Sequence, residues 1–219
     1  MWTRLSRLGP LTGVAFALLV FAGMAIAKSP PGASANGARV VAFYHANATQ
    51  AKAADTLIVA GFAFFLLFAG SLRTHVRATD GAEGVSTVAL AGAAVLTAGA
   101  GVYFGADFVL AMMPATIAPP AAQALNMLAL YLILPLSAGG LVFGLAAGAA
   151  IARCARLPRW LGWAIILIGI ALASPALILG ILALALWTAS ASILIWRRTP
   201  RTTQNDTVGS LPGYATVDR

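Results

Sequence analysis

Residues 56–72 read TLIVAGFAFFLLFAGSL, and this stretch decides the fold class. It contains no charged residue, it follows Asp55, and it ends at Arg73. Such a run has the composition of a helix that crosses lipid, where about 20 apolar residues span the hydrocarbon layer. The whole chain has the same character, since 60% of its residues are hydrophobic and 9% are charged, whereas soluble domains are about 25% charged. The sequence therefore predicts an all-α integral membrane protein, a polytopic transmembrane helical bundle.

Five further apolar stretches predict five further spans in the same domain. We expect the six spans at about residues 11–27, 56–72, 85–105, 123–152, 160–173 and 175–196. The last two are divided at Ala173-Ser174-Pro175, because the apolar stretch around this point is too long for one crossing. The fourth exceeds one crossing, and a tilt, a bend near Pro135 or a cytoplasmic extension would absorb the excess. Residues 1–198 thus form the membrane domain, and the polar residues 199–219 are expected to be a disordered cytoplasmic tail.

The first apolar stretch permits two interpretations. Arg4 and Arg7 precede it, and Ala25-Ile26-Ala27 at its end matches the cleavage site of a secretory signal peptide. We expect a retained helix because the run is about 17 residues long, and a cleaved signal peptide stays the alternative. The rest of the topology is the same in both cases.

The positions of the basic residues predict the orientation, because Lys and Arg concentrate in cytoplasmic loops. With the N-terminus inside, three of the 14 basic residues fall outside, Lys28, Arg39 and Lys52. The other eleven fall on the cytoplasmic side, at Arg4, Arg7, Arg73, Arg77, Arg153, Arg156, Arg159, Arg197, Arg198, Arg201 and Arg219. We therefore predict that both termini are cytoplasmic. This placement also accounts for the formal charge of +8. Nucleic-acid binding would instead require a basic face interleaved with aromatic residues, and the sequence predicts no such face.

The first outer loop predicts a short amphipathic helix, over residues 37–54, lying on the membrane surface. Its apolar residues recur at helical spacing, at Val40, Val41, Tyr44 and Ala48. We expect Asp55 to be the N-cap of the second span, where a carboxylate accepts bonds from free backbone N–H groups. Residues 107–122 are predicted to be a second outer loop because they contain Pro114, Pro119 and Pro120.

Chemistry-bearing motifs are scarce in this chain. The predicted spans contain no charged residue of the kind that marks an ion pathway or a proton relay. HExxH and GxSxG motifs are also missing, and the single cysteine, Cys154, has no neighbouring Cys or His that would complete a zinc site. We therefore predict no catalytic residue, no metal site and no cofactor, and we interpret Cys154 as an inert thiol.

A few polar residues remain as weak candidates for ligand binding, namely Tyr44, His45, Asp107, Asn126 and Tyr131. A ligand or catalytic site on the outer face would require Tyr44, His45, Asp55 and Asp107 to converge, although water-facing loop residues explain them equally well. Asn126 and Tyr131, early in the fourth span, are expected to form hydrogen bonds that hold helices together.

The clearest packing signal is a pair of overlapping GxxxG motifs at Gly140, Gly144 and Gly148. Small residues let helix backbones approach closely, which favours association inside a bilayer. Gly101 and Gly105 form a similar motif in the third span. We expect these surfaces to pack inside the bundle, and self-association through them is the alternative.

Three segments are distinctive, namely residues 157–163 (LPRWLGW), residues 37–44 (GARVVAFY) before the Phe-rich span, and Ala124-Leu125-Asn126. They resemble segments in a group of multi-helix membrane proteins of unknown function from high-GC actinobacteria. The likeness extends over nearly the whole chain. The resemblance implies a six-helix, uncharacterised protein of a bacterial plasma membrane, and it implies no activity.

Three functional hypotheses follow. The first is a non-enzymatic accessory or interaction subunit, in contact with the bilayer and with a membrane protein partner or a second copy, or a binder of an apolar ligand between the helices. The second is a transporter or channel for a small neutral or lipidic solute, which a cavity between the spans would favour. The third is an enzyme at the outer leaflet, which depends on the convergence of Tyr44, His45, Asp55 and Asp107.

Overall fold

The computed structural model describes residues 9–77, 83–154 and 157–198. A 3-10 turn, Gly9–Leu11, precedes seven α-helices, which we number α1 (Thr12–Ile26), α2 (Gly37–Val76), α3 (Glu83–Met112), α4 (Pro119–Tyr131), α5 (Ile133–Arg153), α6 (Arg159–Leu172) and α7 (Leu177–Arg198). The regular structure of these residues is entirely helical, which confirms the predicted all-α class. The predicted tail, residues 199–219, lies outside the described residues, as do Arg4, Arg7 and Arg156.

Four of the helical segments are long and apolar enough to cross a membrane. They are α2, α3, α7 and the 35-residue segment Pro119–Arg153 that α4 and α5 form together. The apolar helices α1 and α6 are shorter, with 15 and 14 residues. At a rise of 1.5 Å per residue each measures about 21–23 Å, against a hydrocarbon layer of about 30 Å.

The longest helix, α2, differs from the prediction of a separate surface helix followed by a new start at Asp55. It runs through 40 residues, or about 60 Å, and Asp55 lies in its interior. Its actual N-cap is Asn36, whose Oδ1 accepts the N–H of Arg39 at 2.9 Å. The prediction was wrong here because residues 51–54, Ala-Lys-Ala-Ala, are strong helix formers with no glycine or proline to end the helix.

The first part of α2 packs against protein. Its predicted apolar face is buried at Val40 and Tyr44, which contact Leu110 and Ala111 of α3. With Ala35 and Ala122 these four residues form a small separate core that we call the end cluster. Residues 37–54 are helical as expected, but they belong to α2, and α3 and α4 cover the buried part of their apolar face.

The second predicted loop, residues 107–122, is shorter in the structure. Helix α3 continues through Asp107 to Met112, because the first proline of this segment is Pro114. Helix α4 then begins at Pro119, since proline is tolerated in the first turn of a helix, where its missing N–H has no partner to lose. The connection between α3 and α4 therefore covers only residues 113–118.

A break between α4 and α5 lies inside the predicted fourth span, close to the bend expected near Pro135. Leu132 separates the two helices. Pro135 has no N–H to donate to the carbonyl of Tyr131 one turn earlier, which explains the break at this point. Between α6 and α7, the chain turns at residues 173–176, where the Ala176 N–H donates to Ser174 Oγ at 3.2 Å.

The centre of the bundle is filled by aromatic side chains. Edge-to-face or tilted contacts, with ring centres 5.0 to 6.3 Å apart, connect Phe16, Phe62, Phe65, Phe68, Phe143 and Trp187. The buried Trp187 Nε1–H also donates to the carbonyl oxygen of Leu161 at 2.9 Å. We call these six rings the aromatic cluster. It joins α1, α2, α5 and α7 near the middle of the bundle.

Glycines bring α5 close to α6. A Cβ at Gly144 would lie 2.7 Å from Gly169 Cα and 2.7 Å from the carbonyl oxygen of Ile165. Gly140 faces Leu172 of α6, and Gly148 faces the carbonyl oxygen of Gly162, also in α6. Three glycines that the GxxxG pattern did not single out, Gly92, Gly99 and Gly139, bring α3 against α5 in the same way.

The predicted motif on α3 has different surroundings. No described atom lies within 4 Å of a Cβ placed at Gly101 or Gly105. These two glycines therefore do not make the close helix contacts that Gly140, Gly144 and Gly148 make.

Candidate functional site

A cavity of about 320 Å³ lies at the end of the bundle where α1 and α3 end and α7 begins. Its size is at the lower end of the range for small-molecule sites, about 300–1,000 Å³. A second cavity near Arg73 and Ser86 measures about 10 Å³, which is room for one water at most. The larger cavity is therefore the candidate site.

One wall of the cavity comes from a single face of α2. Tyr44 and Asp55 are 11 residues apart, and at 100° per residue this separation places them on the same face of the helix. Asn47 and Ala51 lie between them on that face and also line the cavity. The uninterrupted course of α2 through Asp55 is what brings these residues to one site.

Tyr44 and Asp107 form the polar contact at one side of the site. The Tyr44 hydroxyl donates to Asp107 Oδ1 at 2.6 Å, across 63 residues of sequence. Tyr44 is 1% exposed, and its ring belongs to the end cluster, which fixes the position of the hydroxyl. A hydrogen bond between a buried hydroxyl and a carboxylate orients the carboxyl group, so Asp107 has a defined direction in the cavity wall.

Asp55 is a buried residue of the cavity wall with a side-chain oxygen to which no described residue donates a hydrogen bond. It is 6% exposed, and its Oδ2 has no hydrogen-bond partner among the described residues. Asp107 lines the same cavity. The cavity therefore contains two carboxyl groups, of which one has a hydroxyl partner and one has a free oxygen.

The opposite wall is apolar. Met24 of α1 and Leu177, Ile178 and Ile181 of α7 contribute to it. Ile178 is 63% exposed, so the apolar wall reaches the outer surface of the bundle. The exposed residues 28–30 (Lys-Ser-Pro) form a second, polar rim. The rim of the cavity is therefore apolar on one side and hydrophilic on the other.

The structure brings together part of the constellation that the sequence analysis considered. Tyr44, Asp55 and Asp107 line one cavity, whereas His45 is exposed on another face of α2 and does not line it. Tyr103, which the sequence analysis did not select, completes the polar wall. It precedes Asp107 by four residues, a spacing that places two side chains on the same face of a helix. This spacing could have identified Tyr103, but Asp107 was predicted to lie in a loop.

Two other candidates lie elsewhere. Asn126 is buried on α4, and its amide donates to the carbonyl oxygen of Pro31 at 3.2 Å, which fastens the α1–α2 connection to α4. Tyr131 is exposed at the end of α4. Neither side chain lines the cavity.

The donor set of the cavity suits binding better than metal chemistry. The described residues contain no group of three or more His, Cys, Asp and Glu side chains placed to hold a metal ion. Carboxyl oxygens at one side and aliphatic groups at the other are complementary to a molecule with a hydrogen-bond donor at one end and an apolar body.

Comparison with known proteins gave no match to a family model, to a curated protein or to a solved structure. The function is therefore argued from the cavity itself.

Proposed function

We propose that this chain is a six-span protein of a bacterial plasma membrane that binds a small amphipathic molecule at the outer end of its bundle. The observation that carries the proposal is the 320 Å³ cavity, with carboxyl groups on one wall and aliphatic side chains on the other. Both termini are cytoplasmic in this proposal, and the bound molecule is held without being chemically changed.

The course of the two short helices supports six spans. Gly9, just before α1, lies against Ser71 near the end of α2, while Met24 near the end of α1 lines the cavity. Helix α1 thus extends from one end of the bundle to the other. Helix α6 begins after the arginine-bearing end of α5, and the turn that follows it leads to Leu177 in the cavity wall. Trp160 and Trp163 are exposed at its start, as in an interfacial aromatic belt.

An enzymatic function has less support. That hypothesis required His45 to join Tyr44, Asp55 and Asp107, and His45 faces away from the cavity. The remaining residues offer carboxyl and phenol groups, which can hold a ligand through hydrogen bonds.

A transporter of a small amphipathic solute is the second candidate. The cavity is at one end of the bundle, and the aromatic cluster fills the centre between it and the arginine-bearing end. This arrangement is typical of a binding site accessible from one side, which a second conformation would have to open to the other side. Uptake of the bound molecule into proteoliposomes, beyond uptake by protein-free vesicles, would favour this candidate.

Binding can be tested by filling the cavity. Ala51 lines it, whereas Ala53, on the same helix, is exposed and does not. We expect native mass spectrometry of the wild-type chain in lipid nanodiscs to detect a co-purified small amphiphile. Ala51→Phe should abolish the adduct because the ring occupies the ligand volume, and Ala53→Phe should retain it. A wild-type chain without an adduct, or an equal adduct on Ala51→Phe, would contradict the proposal.

A further inference from the structure

The unpartnered carboxyl oxygen of Asp55 identifies the polar end of the ligand. Asp55 is 94% buried, since its exposure is 6%, and it lines the cavity with Oδ2 unpaired within the described part of the chain. A buried carboxyl oxygen without a partner is costly, and buried charges in proteins are almost always paired. The Asp55 side chain lines the cavity, whose volume of about 320 Å³ has room for a molecule that pairs with the carboxyl group.

We propose that the cavity takes a primary amine in its protonated form, with the ammonium group held by Asp55 and the apolar part of the molecule against α1 and α7. This inference rests on the proposed binding function and deepens it. Asp55 accepts an N–H of the ammonium group, and Asp107, already fixed by Tyr44, is a second carboxyl group in the cavity wall. An ammonium group has three N–H donors, so the phenol oxygen of Tyr103 in the same wall can accept another.

An organic cation fits this site better than a metal ion does. Calcium takes six to eight oxygen ligands, and the carboxylates of this cavity come from Asp55 and Asp107 alone among the described residues. The cavity volume of about 320 Å³ is also far larger than an ion needs, and its aliphatic wall offers no ligand to one. That wall is instead suited to a hydrocarbon group joined to the amine.

Lys28, the basic residue of the cavity rim, is placed less favourably for pairing with Asp55. Lys28 lines the cavity, but it lies exposed at the rim, where its ammonium group is solvated. Asp55 Oδ2 keeps no hydrogen-bond partner with Lys28 in this position. A molecule that enters the cavity can provide the partner that Lys28 does not provide.

Two probes of the same shape separate the charge from the apolar contacts. 2-Phenylethylamine is protonated at neutral pH, and 2-phenylethanol replaces its ammonium group by a neutral hydroxyl. Isothermal titration calorimetry of the full chain in lipid nanodiscs, with empty nanodiscs subtracted, gives both affinities. We expect the amine to bind about tenfold more tightly than the alcohol, a difference of about 1.4 kcal/mol.

Variants then assign this preference to one residue. Asp55→Asn should remove the preference by weakening the amine and leaving the alcohol unchanged, and retained alcohol binding shows that the cavity is intact. Asp55→Glu keeps the charge and should keep the preference. The matched control is Glu83→Gln, which changes the charge equally at the exposed far end of α3 and should alter neither affinity.

Other results of these measurements would refute the amine inference, the role of Asp55 or the binding function. Equal binding of both probes by the wild-type chain would refute the amine inference and leave the proposed binding function standing. A preference that survives in Asp55→Asn would refute the role of Asp55. Binding of calcium that depends on Asp55, without any preference for the amine, would replace the inference by a metal site. Binding of neither probe would refute both the amine inference and the proposed function.

Discussion

Replacing Gly144 by alanine tests whether close contact between α5 and α6 stabilises the bundle. The new Cβ would lie 2.7 Å from Gly169 Cα, which is backbone and cannot rotate away. Carbon atoms in contact are ~3.5–4.0 Å apart, so the two helices have to separate by about 1 Å. Overpacking of this kind costs about 1–3 kcal/mol.

The control for this variant is Gly101→Ala, because no described atom lies within 4 Å of a Cβ there. Both substitutions gain the same helix propensity, about 1 kcal/mol in soluble helices. The difference between them therefore isolates the steric effect.

Unfolding in mixed micelles by a titration with sodium dodecyl sulfate, followed by circular dichroism, measures both free energies. We expect Gly144→Ala to be less stable than Gly101→Ala by about 1–3 kcal/mol. Equal stability of the two variants would refute the assignment of Gly144 to a tight helix contact.

Three further predictions concern the polar contact, the aromatic cluster and the orientation. Tyr44→Phe should lower the free energy of unfolding by about 1–3 kcal/mol. Adding Asp107→Leu to this variant should cost little more than Tyr44→Phe alone, because the hydrogen bond between the two side chains is already lost; additive losses of the two single variants would contradict this. Trp187→Phe should cost about 1–3 kcal/mol through its lost hydrogen bond and packing, whereas Trp160→Phe, at an exposed position, should cost less than about 0.5 kcal/mol. Ser29→Cys, combined with Cys154→Ala, should react with a membrane-impermeant maleimide in intact cells. Reaction only after permeabilisation of the cells would contradict the proposed orientation.

The sequence was sufficient for the elements that depend on long apolar runs. The apolar segments, the turn at Ser174 and the bend near Pro135 all follow from composition and from proline chemistry, which act locally. The helix over residues 37–54 was also found from its periodicity, but its covering surface was not, because a pattern of apolar residues does not specify whether lipid or protein buries it.

The candidate site was less predictable because it depends on where helices end. Asp55 and Asp107 were placed at span ends or in loops, on the general expectation that carboxylates leave the bilayer. In the structure both continue a helix, so Asp55 falls on the face of Tyr44, and Asp107 falls on the face of Tyr103. The 2.6 Å contact between Tyr44 and Asp107 joins residues 63 positions apart, which no local pattern predicts.

The unbroken course of α2 has a mechanical consequence. Because one rigid rod of about 60 Å connects the ligand end of the molecule to Arg73, a small rotation at one end is transmitted to the other. A tilt of about 10° around the midpoint would displace each extremity by about 5 Å in opposite directions. Under the proposed function, a ligand bound at one end of the bundle would move basic side chains at the other end without any change in the fold.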